Sequence, residues 1–243
     1  MYKPLLASAL ALLATSSQAQ VIVFSTDFDS GLPAQIVPGT ALLEGVQGYS
    51  GYGPVTAPFG GDFLRSATAN TVTLTLNGLA PHSTISIDFL FAAIDSLDGT
   101  GSFPSGDYFK VTLDGTPIFR ESFANATPDQ VQSYVPPAGV ELARHVDLGF
   151  SGPGGFYTDS AYQLGADPIF QNIAHSGATA VFTFVIEGLG VQDLNDESWA
   201  MDQLRVSTDG NTAPVPEPQT WALMLAGLGV LGALARRRSA NPR

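Results

Sequence analysis

Short runs in which polar and apolar residues alternate are the feature that most constrains the fold of this chain. The run 71–78 alternates strictly and ends in Asn77-Gly78, a pair that favours a tight turn. Similar runs occur at 21–24, 84–91, 108–113, 116–123, 180–187 and 200–206. Before the tail, no amphipathic helical pattern of ten or more residues occurs. Short strands between Gly- and Pro-rich loops predict an all-β fold, an antiparallel β-sandwich.

Connections between the strand patterns are of two kinds. Asp114-Gly115 separates two of the patterns and predicts a hairpin turn. The stretches 33–64 and 125–175 are too long for hairpin loops. We expect these two stretches to carry short edge strands, or surface loops that form a binding face.

The first 19 residues have the organisation of a secretory signal peptide. Lys3 precedes an apolar stretch from Leu5 to Leu13, and Ser17-Gln18-Ala19 forms a small-x-small cleavage site. We therefore predict a signal peptide over 1–19 and a β-sandwich ectodomain over 20–210, a length that suits one domain.

The net charge of the ectodomain limits the classes of molecule that it can bind. Between residues 20 and 214 there are five basic and 21 acidic side chains, a net charge near −16, and the chain has no cysteine. Nucleic acids need a basic surface, so we expect no nucleic-acid partner. The acidic surface suits divalent cations or neutral glycans as partners. The alternative is that the acidic side chains only keep the protein soluble.

The C-terminal tail has three consecutive parts. A polar, Pro-rich linker over 211–219 contains Pro216-Glu217-Pro218 and is followed by an uncharged apolar run over 220–235. As a helix this run is about 24 Å long, slightly shorter than the roughly 30 Å hydrocarbon core of a bilayer. Arg236, Arg237 and Arg238 follow as a positive-inside stop signal. We predict a single transmembrane helix over 220–235 and a basic cytoplasmic tail over 236–243.

These three parts, in this order, resemble the PEP-CTERM sorting signal of Gram-negative bacteria. The resemblance implies that an exosortase recognises Pro216, Glu217 and Pro218 and processes the tail. It further implies export through the inner membrane, anchoring there by the C-terminal helix, and delivery to the cell surface or extracellular matrix.

Two segments of the ectodomain also resemble a known family. Asp27-Phe28-Asp29 and the closing segment 199–206 are similar to the first and last strands of galactose-binding-like jelly rolls, which include carbohydrate-binding modules. Gln203 stands where that family commonly has a second Asn. The resemblance implies a jelly-roll-like sandwich.

The same resemblance implies a structural calcium ion where the first and last strands meet. Asp202 would bind it with Asp27 or Asp29, and Asp196 and Glu197 are candidate helpers. Without a cation nearby, the acidic loop that leads to Glu197 would carry unfavourable repulsion.

A second candidate calcium site consists of Asp95, Asp98 and Asp107. Carboxylates joined by a Gly-rich segment suit Ca²⁺, which takes six to eight oxygen ligands. The alternative is a solvated turn in which each Asp caps its own backbone.

Aromatic residues provide candidate sugar contacts. Tyr49, Tyr52, Tyr157 and Tyr162 lie in or beside Gly-rich loops, where exposed rings would stack on sugar faces. The alternative is that these rings pack the loops onto the sandwich.

The sequence contains no recognisable catalytic motif. Its three histidines are widely separated, and neither His-Glu-x-x-His nor Gly-x-Ser-x-Gly occurs. Pairs among Glu121, Glu141, Glu187 and Glu197 could serve glycoside hydrolysis, although any acidic β domain offers such pairs. We therefore expect a non-enzymatic, calcium-stabilised protein of the envelope or extracellular polysaccharide matrix. The alternative is a carbohydrate-binding module for exopolysaccharide, and a glycoside hydrolase ranks third.

Overall fold

The computed structural model describes residues 20–100, 106–125, 127–150, 157–188 and 192–210, together with Met224, Gly227, Leu228, Leu231 and Arg236. Residues 19–210 form one compact unit. Every buried apolar side chain among the described residues lies between Phe24 and Val206. The fragment 20–210 therefore contains its own core and can be studied separately.

The described part of the fragment contains thirteen strands. They are β1 (Val21–Thr26), β2 (Ile36–Val37), β3 (Leu42–Gly45), β4 (Asp62–Ala67), β5 (Val72–Asn77), β6 (Thr84–Asp95), β7 (Tyr108–Leu113), β8 (Thr116–Ser122), β9 (Glu141–Val146), β10 (Asp159–Tyr162), β11 (Ile173–Ala174), β12 (Thr179–Glu187) and β13 (Glu197–Thr208). Three single-turn 3-10 helices occupy Gln47–Tyr49, Leu164–Ala166 and Pro168–Phe170.

The strands form two antiparallel sheets. The eight-stranded sheet has the order β3-β4-β13-β6-β10-β9, with β1 also paired to β13 and β11 also paired to β6. The five-stranded sheet has the order β2-β5-β12-β7-β8. Side chains from both sheets meet in one core. The ring centroid of Phe89 on β6 lies 6.4 Å from that of Phe109 on β7 and 5.8 Å from that of Phe184 on β12. The predicted all-β antiparallel sandwich is confirmed.

The alternation of polar and apolar residues explains which side chains of the five-stranded sheet face the core. In β12, Ala180, Phe182, Phe184 and Ile186 are buried, and the residues between them are half-buried. Burying each large apolar side chain contributes about 1.5–3 kcal/mol. A shift of register by one residue would move this whole set away from the core, so the pattern specifies the pairing.

β6 and β13 are buried on both faces. Phe89 and Phe91 of β6 belong to the core between the sheets, whereas Leu90, Ala92 and Ile94 belong to a second apolar cluster on the outer face of the eight-stranded sheet. That second cluster is covered by side chains of the long connections, namely Val46, Tyr49, Phe59 and Leu148. This cover explains why the alternation in β6 gives way to a continuous apolar run.

The two turn pairs behave differently. Asp114-Gly115 joins β7 and β8 with φ values of +50° and +80°, as a two-residue hairpin with positive φ at both positions requires. Asn77-Gly78 also turns the chain, with Gly78 at φ +71°. However, β5 and β6 lie in different sheets, so this turn begins a crossing between the sheets.

The two long stretches contain short strands, as expected. Residues 33–64 include β2, β3 and the start of β4, and residues 125–175 include β9, β10 and β11. The predicted signal peptide (1–19) and linker (211–219) lie outside the described residues, as do Pro216, Glu217, Pro218, Arg237 and Arg238. The predicted helix 220–235 is described only at Met224, Gly227, Leu228 and Leu231, which are helical. Within the part of the chain that the structure describes, no helix is both long and apolar enough to cross a bilayer.

Candidate functional site

Three acidic side chains meet where the chain passes from one sheet to the other. This acidic cluster consists of Asp98 and Asp107, which lie in the connection between β6 and β7, and Glu197, the first residue of β13. One ligand oxygen of each residue lies within 4.8 Å of the other two. Glu197 is 0% exposed and Asp107 is 2% exposed, whereas Asp98 is half-buried.

Hydrogen bonds hold one oxygen of each carboxylate in the acidic cluster. The backbone N–H of Asp98 donates to Oδ2 of Asp107 over 2.8 Å. The side-chain amide of Gln130 donates to Oδ1 of Asp98, and that of Gln192 donates to Oε1 of Glu197, each over 2.8 Å. The other oxygen of Glu197, Oε2, is buried and has no hydrogen-bond partner among the described residues.

Burial makes negative charge costly in the acidic cluster. Burial, together with the charge of Asp107, raises the pKa of Glu197 to about 8. Burial likewise raises the pKa of Asp107 to about 6, against a lowering effect of the hydrogen bond from Asp98. Burial therefore favours the neutral form of both acids over the ionised form.

Asp95 does not join this cluster, which corrects the predicted trio Asp95, Asp98 and Asp107. Asp95 has a φ of +61° and is 1% exposed. Its backbone N–H donates to Asp159, and burial followed by the charge of Asp159 raises its pKa to about 7. Glu197 takes the third position in the cluster because β13 pairs with the end of β6.

Asp202 lies at the predicted meeting point of the first and last strands, but among the described residues it does not form with Asp27 and Asp29 a group of ligand atoms within 4.8 Å, as the acidic cluster does. β1 pairs with β13, and Asp202 is fully buried. Its oxygens accept hydrogen bonds from the backbone N–H groups of Gly60, over 3.1 Å, and Gln203, over 2.6 Å. Burial raises the pKa of Asp202 to about 7, and the charges of Asp29 and Asp27 contribute to this increase.

Asp196 and Glu197 do not assist Asp202, which corrects a second expectation. Glu197 and Asp202 are five positions apart along β13, a distance of about 16 Å in an extended strand. Asp196 instead accepts a hydrogen bond from the hydroxyl of Ser96 over 3.0 Å.

Two of the four candidate sugar-stacking tyrosines are inside the protein. Tyr49 and Tyr162 are fully buried. The Tyr49 hydroxyl donates to the carbonyl of Ala93 over 3.0 Å, and the Tyr162 hydroxyl donates to Gln132 over 3.2 Å. These two rings therefore pack the sandwich, and their faces are closed to sugars. Tyr52 and Tyr157 are half-buried.

The glutamates considered for hydrolysis lie on four different strands. Glu187 of β12 is ion-paired with Lys110 and with Arg120, 2.7 Å away in the second case. Glu121 of β8 accepts a hydrogen bond from the hydroxyl of Ser133 over 2.5 Å. Glu141 of β9 is exposed, and Glu197 belongs to the acidic cluster.

A cleft of about 450 Å³ with a mixed polar and apolar lining lies on the eight-stranded sheet, beside the apolar cluster of its outer face. Asp27, Thr56, Asp88, Gln163, Gln203 and Arg205 are among its lining residues. Arg205 is ion-paired with Asp88 over 3.1 Å, and the side chain of Gln171 donates to the other Asp88 oxygen over 3.2 Å.

A β-bulge shapes this outer-face cleft. The register between β13 and β6 shifts between Asp202 and Arg205, and Gln203 adopts a φ of +51°. Beyond the bulge, Arg205 stands opposite Asp88. Bulges of this kind re-aim side chains beside functional sites. Sequence reasoning singled out Asp27 and the segment 199–206, but it missed the cleft because the lining comes from five separated segments that only the folded chain brings together.

Comparison with solved structures finds carbohydrate-binding modules and parts of glycoside hydrolases, all at low sequence identity. The CBM22-2 xylan-binding domain from Paenibacillus barcinonensis Xyn10C is 12% identical, with 76% of this chain and 99% of that chain covered and a TM-score of 0.34. The C-terminal family 22 module of Clostridium thermocellum Xyn10B is 14% identical, with 82% and 99% covered and a TM-score of 0.34. The module CBM36 in complex with calcium and xylotriose is 14% identical, with 70% and 98% covered and a TM-score of 0.27.

Comparison with curated proteins finds no significant match. In contrast, a family model matches the C-terminal tail over residues 214–239, and its description is the PEP-CTERM protein-sorting motif. This range contains Pro216-Glu217-Pro218, the apolar run and the three arginines. The chain therefore carries a PEP-CTERM protein-sorting motif at residues 214–239.

Proposed function

We propose that this protein is exported, sorted through its PEP-CTERM motif, and binds a neutral polysaccharide of the cell surface or extracellular matrix without cleaving it. The outer-face cleft is the observation that supports the proposed binding of a polysaccharide. Its volume, about 450 Å³, falls in the range of ligand pockets, roughly 300–1,000 Å³.

The lining of the outer-face cleft has the chemistry that sugar hydroxyls need. Each sugar hydroxyl both donates and accepts hydrogen bonds. Asp88 supplies acceptors, Arg205 supplies donors, and Gln163 and Gln203 supply both. The net charge near −16 of residues 20–214 disfavours an anionic polymer, so a neutral glycan fits best.

Binding of the fragment 20–210 to an array of neutral polysaccharides tests this function. Arg205→Ala removes donors from the cleft and should abolish binding. Arg120→Ala is the matched control, because Arg120 lies on β8 of the other sheet. Failure of the unsubstituted fragment to bind any glycan, or equal binding by Arg205→Ala, would contradict the proposal.

The export part of the proposal is tested in the producing cell. The motif supports recognition by an exosortase at Pro216, Glu217 and Pro218, after anchoring in the inner membrane through residues 220–235. Replacing these three residues with alanine should leave an unprocessed chain in the inner membrane fraction. The same mass and fraction for both forms would argue against sorting through this motif.

The second candidate is a purely structural protein stabilised by calcium at Asp27, Asp29 and Asp202. Its support is the pairing of β1 with β13 and the raised pKa of buried Asp202, to which the charges of Asp29 and Asp27 contribute. Calcium at 100 times its dissociation constant would add about 2.7 kcal/mol. This corresponds to roughly 5–10 °C in Tm for a domain of this size. If the Tm increase survives in Asp202→Asn, this site is not its cause.

A further inference from the structure

We propose that Asp98, Asp107 and Glu197 together bind one calcium ion, which connects the crossing between the two sheets to the start of β13. This inference concerns the end of the sandwich and does not depend on glycan binding in the outer-face cleft. It also differs from the candidate calcium at Asp202.

The separation of the three carboxylates suits a shared ion. Calcium binds oxygens at about 2.3–2.6 Å, so two oxygens on opposite sides of the ion lie roughly 4.6–5.2 Å apart. One oxygen from each of the three residues lies within 4.8 Å of the others. All three can therefore contact one ion without a large movement of the backbone.

An unpartnered buried oxygen points to a missing ligand. Glu197 is 0% exposed, and its Oε2 has no hydrogen-bond partner within the described ranges. A buried carboxylate oxygen without a partner is costly, and proteins rarely leave one so. A bound cation satisfies this oxygen directly.

The hydrogen bonds around the cluster have the arrangement of ligand-orienting contacts. The side-chain amide of Gln192 donates a hydrogen bond to Oε1 of Glu197, and that of Gln130 donates to Oδ1 of Asp98. The backbone N–H of Asp98 donates to Oδ2 of Asp107. Each contact fixes one oxygen of a carboxylate and so orients the second. In metal sites, outer contacts of this kind position the ligands and tune their affinity.

The cations of the observed ion pairs are directed to other acids. Arg65 pairs with Glu44, Lys110 and Arg120 pair with Glu187, and Arg205 pairs with Asp88. His175 pairs with Asp114. These side chains therefore do not neutralise the acidic cluster, and a divalent ion would relieve its repulsion.

The ligand set selects calcium among divalent ions. Three carboxylates and no nitrogen or sulfur donor disfavour zinc, which prefers His and Cys. Magnesium is usually bound through one or two carboxylates and keeps several waters, whereas calcium accepts many carboxylate oxygens in irregular geometry. We therefore assign calcium.

The ion would cross-link distant parts of the fold. Asp98 follows β6 of the eight-stranded sheet, Asp107 precedes β7 of the five-stranded sheet, and Glu197 begins β13. A single ion thus joins the two sheets at one end and holds together residues about 100 positions apart in sequence. The expected consequence is a stabler sandwich when calcium is bound.

Calorimetric titration of the fragment 20–210 with CaCl₂ tests the site. We expect saturable binding that weakens at least about 10-fold in Glu197→Gln and in Asp107→Asn, since loss of a direct ligand should cost at least as much as loss of an orienting contact. Glu141→Gln makes the same charge change at an exposed position of β9 and should bind as the unsubstituted fragment does. Asp202→Asn should also retain this binding event.

Several results would overturn the assignment. They are no calcium binding by the unsubstituted fragment at millimolar concentration, unchanged affinity in Glu197→Gln, loss of all binding in Asp202→Asn alone, or magnesium binding as tight as calcium binding. Circular dichroism checks the fold of each variant. If Glu197→Gln or Asp107→Asn does not fold, the calcium affinity of Asp98→Asn tests the site instead. Asp98 is half-buried, so its replacement leaves the two buried ligands in place.

Discussion

The backbone N–H of Asp95 donates a hydrogen bond to Oδ1 of Asp159 over 3.0 Å, while both carboxylate oxygens of Asp95 are without partners in the described structure. Oδ2 of Asp159 accepts a second hydrogen bond, from the N–H of Leu148 over 2.7 Å. Burial is the main cause that raises the pKa of each acid to about 7. Asp95 and Asp159 are thus buried side by side, but replacing each by a neutral residue should change the free energy of unfolding in opposite directions.

The raised pKa values determine the sign of the pH dependence. An aspartate in the unfolded chain has a pKa of about 3.9, so between roughly pH 4 and 7 the native state holds more protons than the unfolded chain. Stability from these two acids is fully present below pH 4 and is lost as the pH rises through 7.

We predict that Asp95→Asn flattens this pH dependence. Asparagine has nearly the same shape, tolerates the φ of +61° and carries no charge to bury. At pH 8 the variant should gain about 1–3 kcal/mol in the free energy of unfolding, and at pH 5 the two proteins should agree within about 1 kcal/mol. Urea unfolding of the fragment 20–210 with chelator at both pH values measures this. An equal loss of stability at both would show that the ionised carboxylate is not costly.

Asp159→Asn should act in the opposite direction. The two N–H groups of Asp95 and Leu148 both need an acceptor, and an amide side chain offers only one oxygen. One buried N–H then loses its partner, at a cost of about 1–3 kcal/mol. Urea unfolding at pH 6, with Asp95→Asn as the matched comparison, measures the difference. Equal midpoints for the two variants would contradict this asymmetry.

The core between the sheets provides a third prediction. Phe109 of β7 is fully buried, with its ring centroid 4.3 Å from that of Phe91 and 5.2 Å from that of Trp199, both on the opposite sheet. Phe109→Ala should destabilise the fragment by about 3–5 kcal/mol, because a large cavity forms between the sheets. Val135→Ala, at a position that is 84% exposed, is the control and should stay within about 0.5 kcal/mol. A similar small effect of both substitutions would mean that Phe109 does not join the sheets.

Much of the fold was predictable because alternation is a property of each strand by itself. The pattern of β12 shows which residues face the core, and Asp114-Gly115 carries the backbone preference of its own turn. The sheet to which a strand belongs is not a local property. Asn77-Gly78 has a turn sequence as well, yet it connects strands of different sheets because β6 finds its partners in β10, β11 and β13.

The acidic cluster was predictable only in part, for a related reason. Asp98 and Asp107 are nine positions apart in one connection, so their closeness follows from the chain itself. The membership of Glu197 depends on the pairing of β13 with β6, a contact between residues about 100 positions apart. The burial of Tyr49 likewise depends on a long connection that folds back over the outer face of the sheet, and the burial of Tyr162 depends on the pairing of β10 with β6, neither of which a local pattern encodes.

The last prediction connects the backbone of the outer-face cleft to binding. A Cβ added at Gly165 would lie 2.4 Å from the Cα of Asp88, so β6 would have to move away from the 3-10 helix Leu164–Ala166. Gly165→Ala should therefore cost about 1–3 kcal/mol and displace Asp88 from Arg205, with loss of glycan binding. Gly60→Ala is the matched control, since nothing lies within 4 Å of its added Cβ. Thermal unfolding and glycan binding of both variants measure the two effects. Glycan binding by Gly165→Ala at the affinity of the unsubstituted fragment would show that the Asp88–Arg205 geometry does not recognise the sugar.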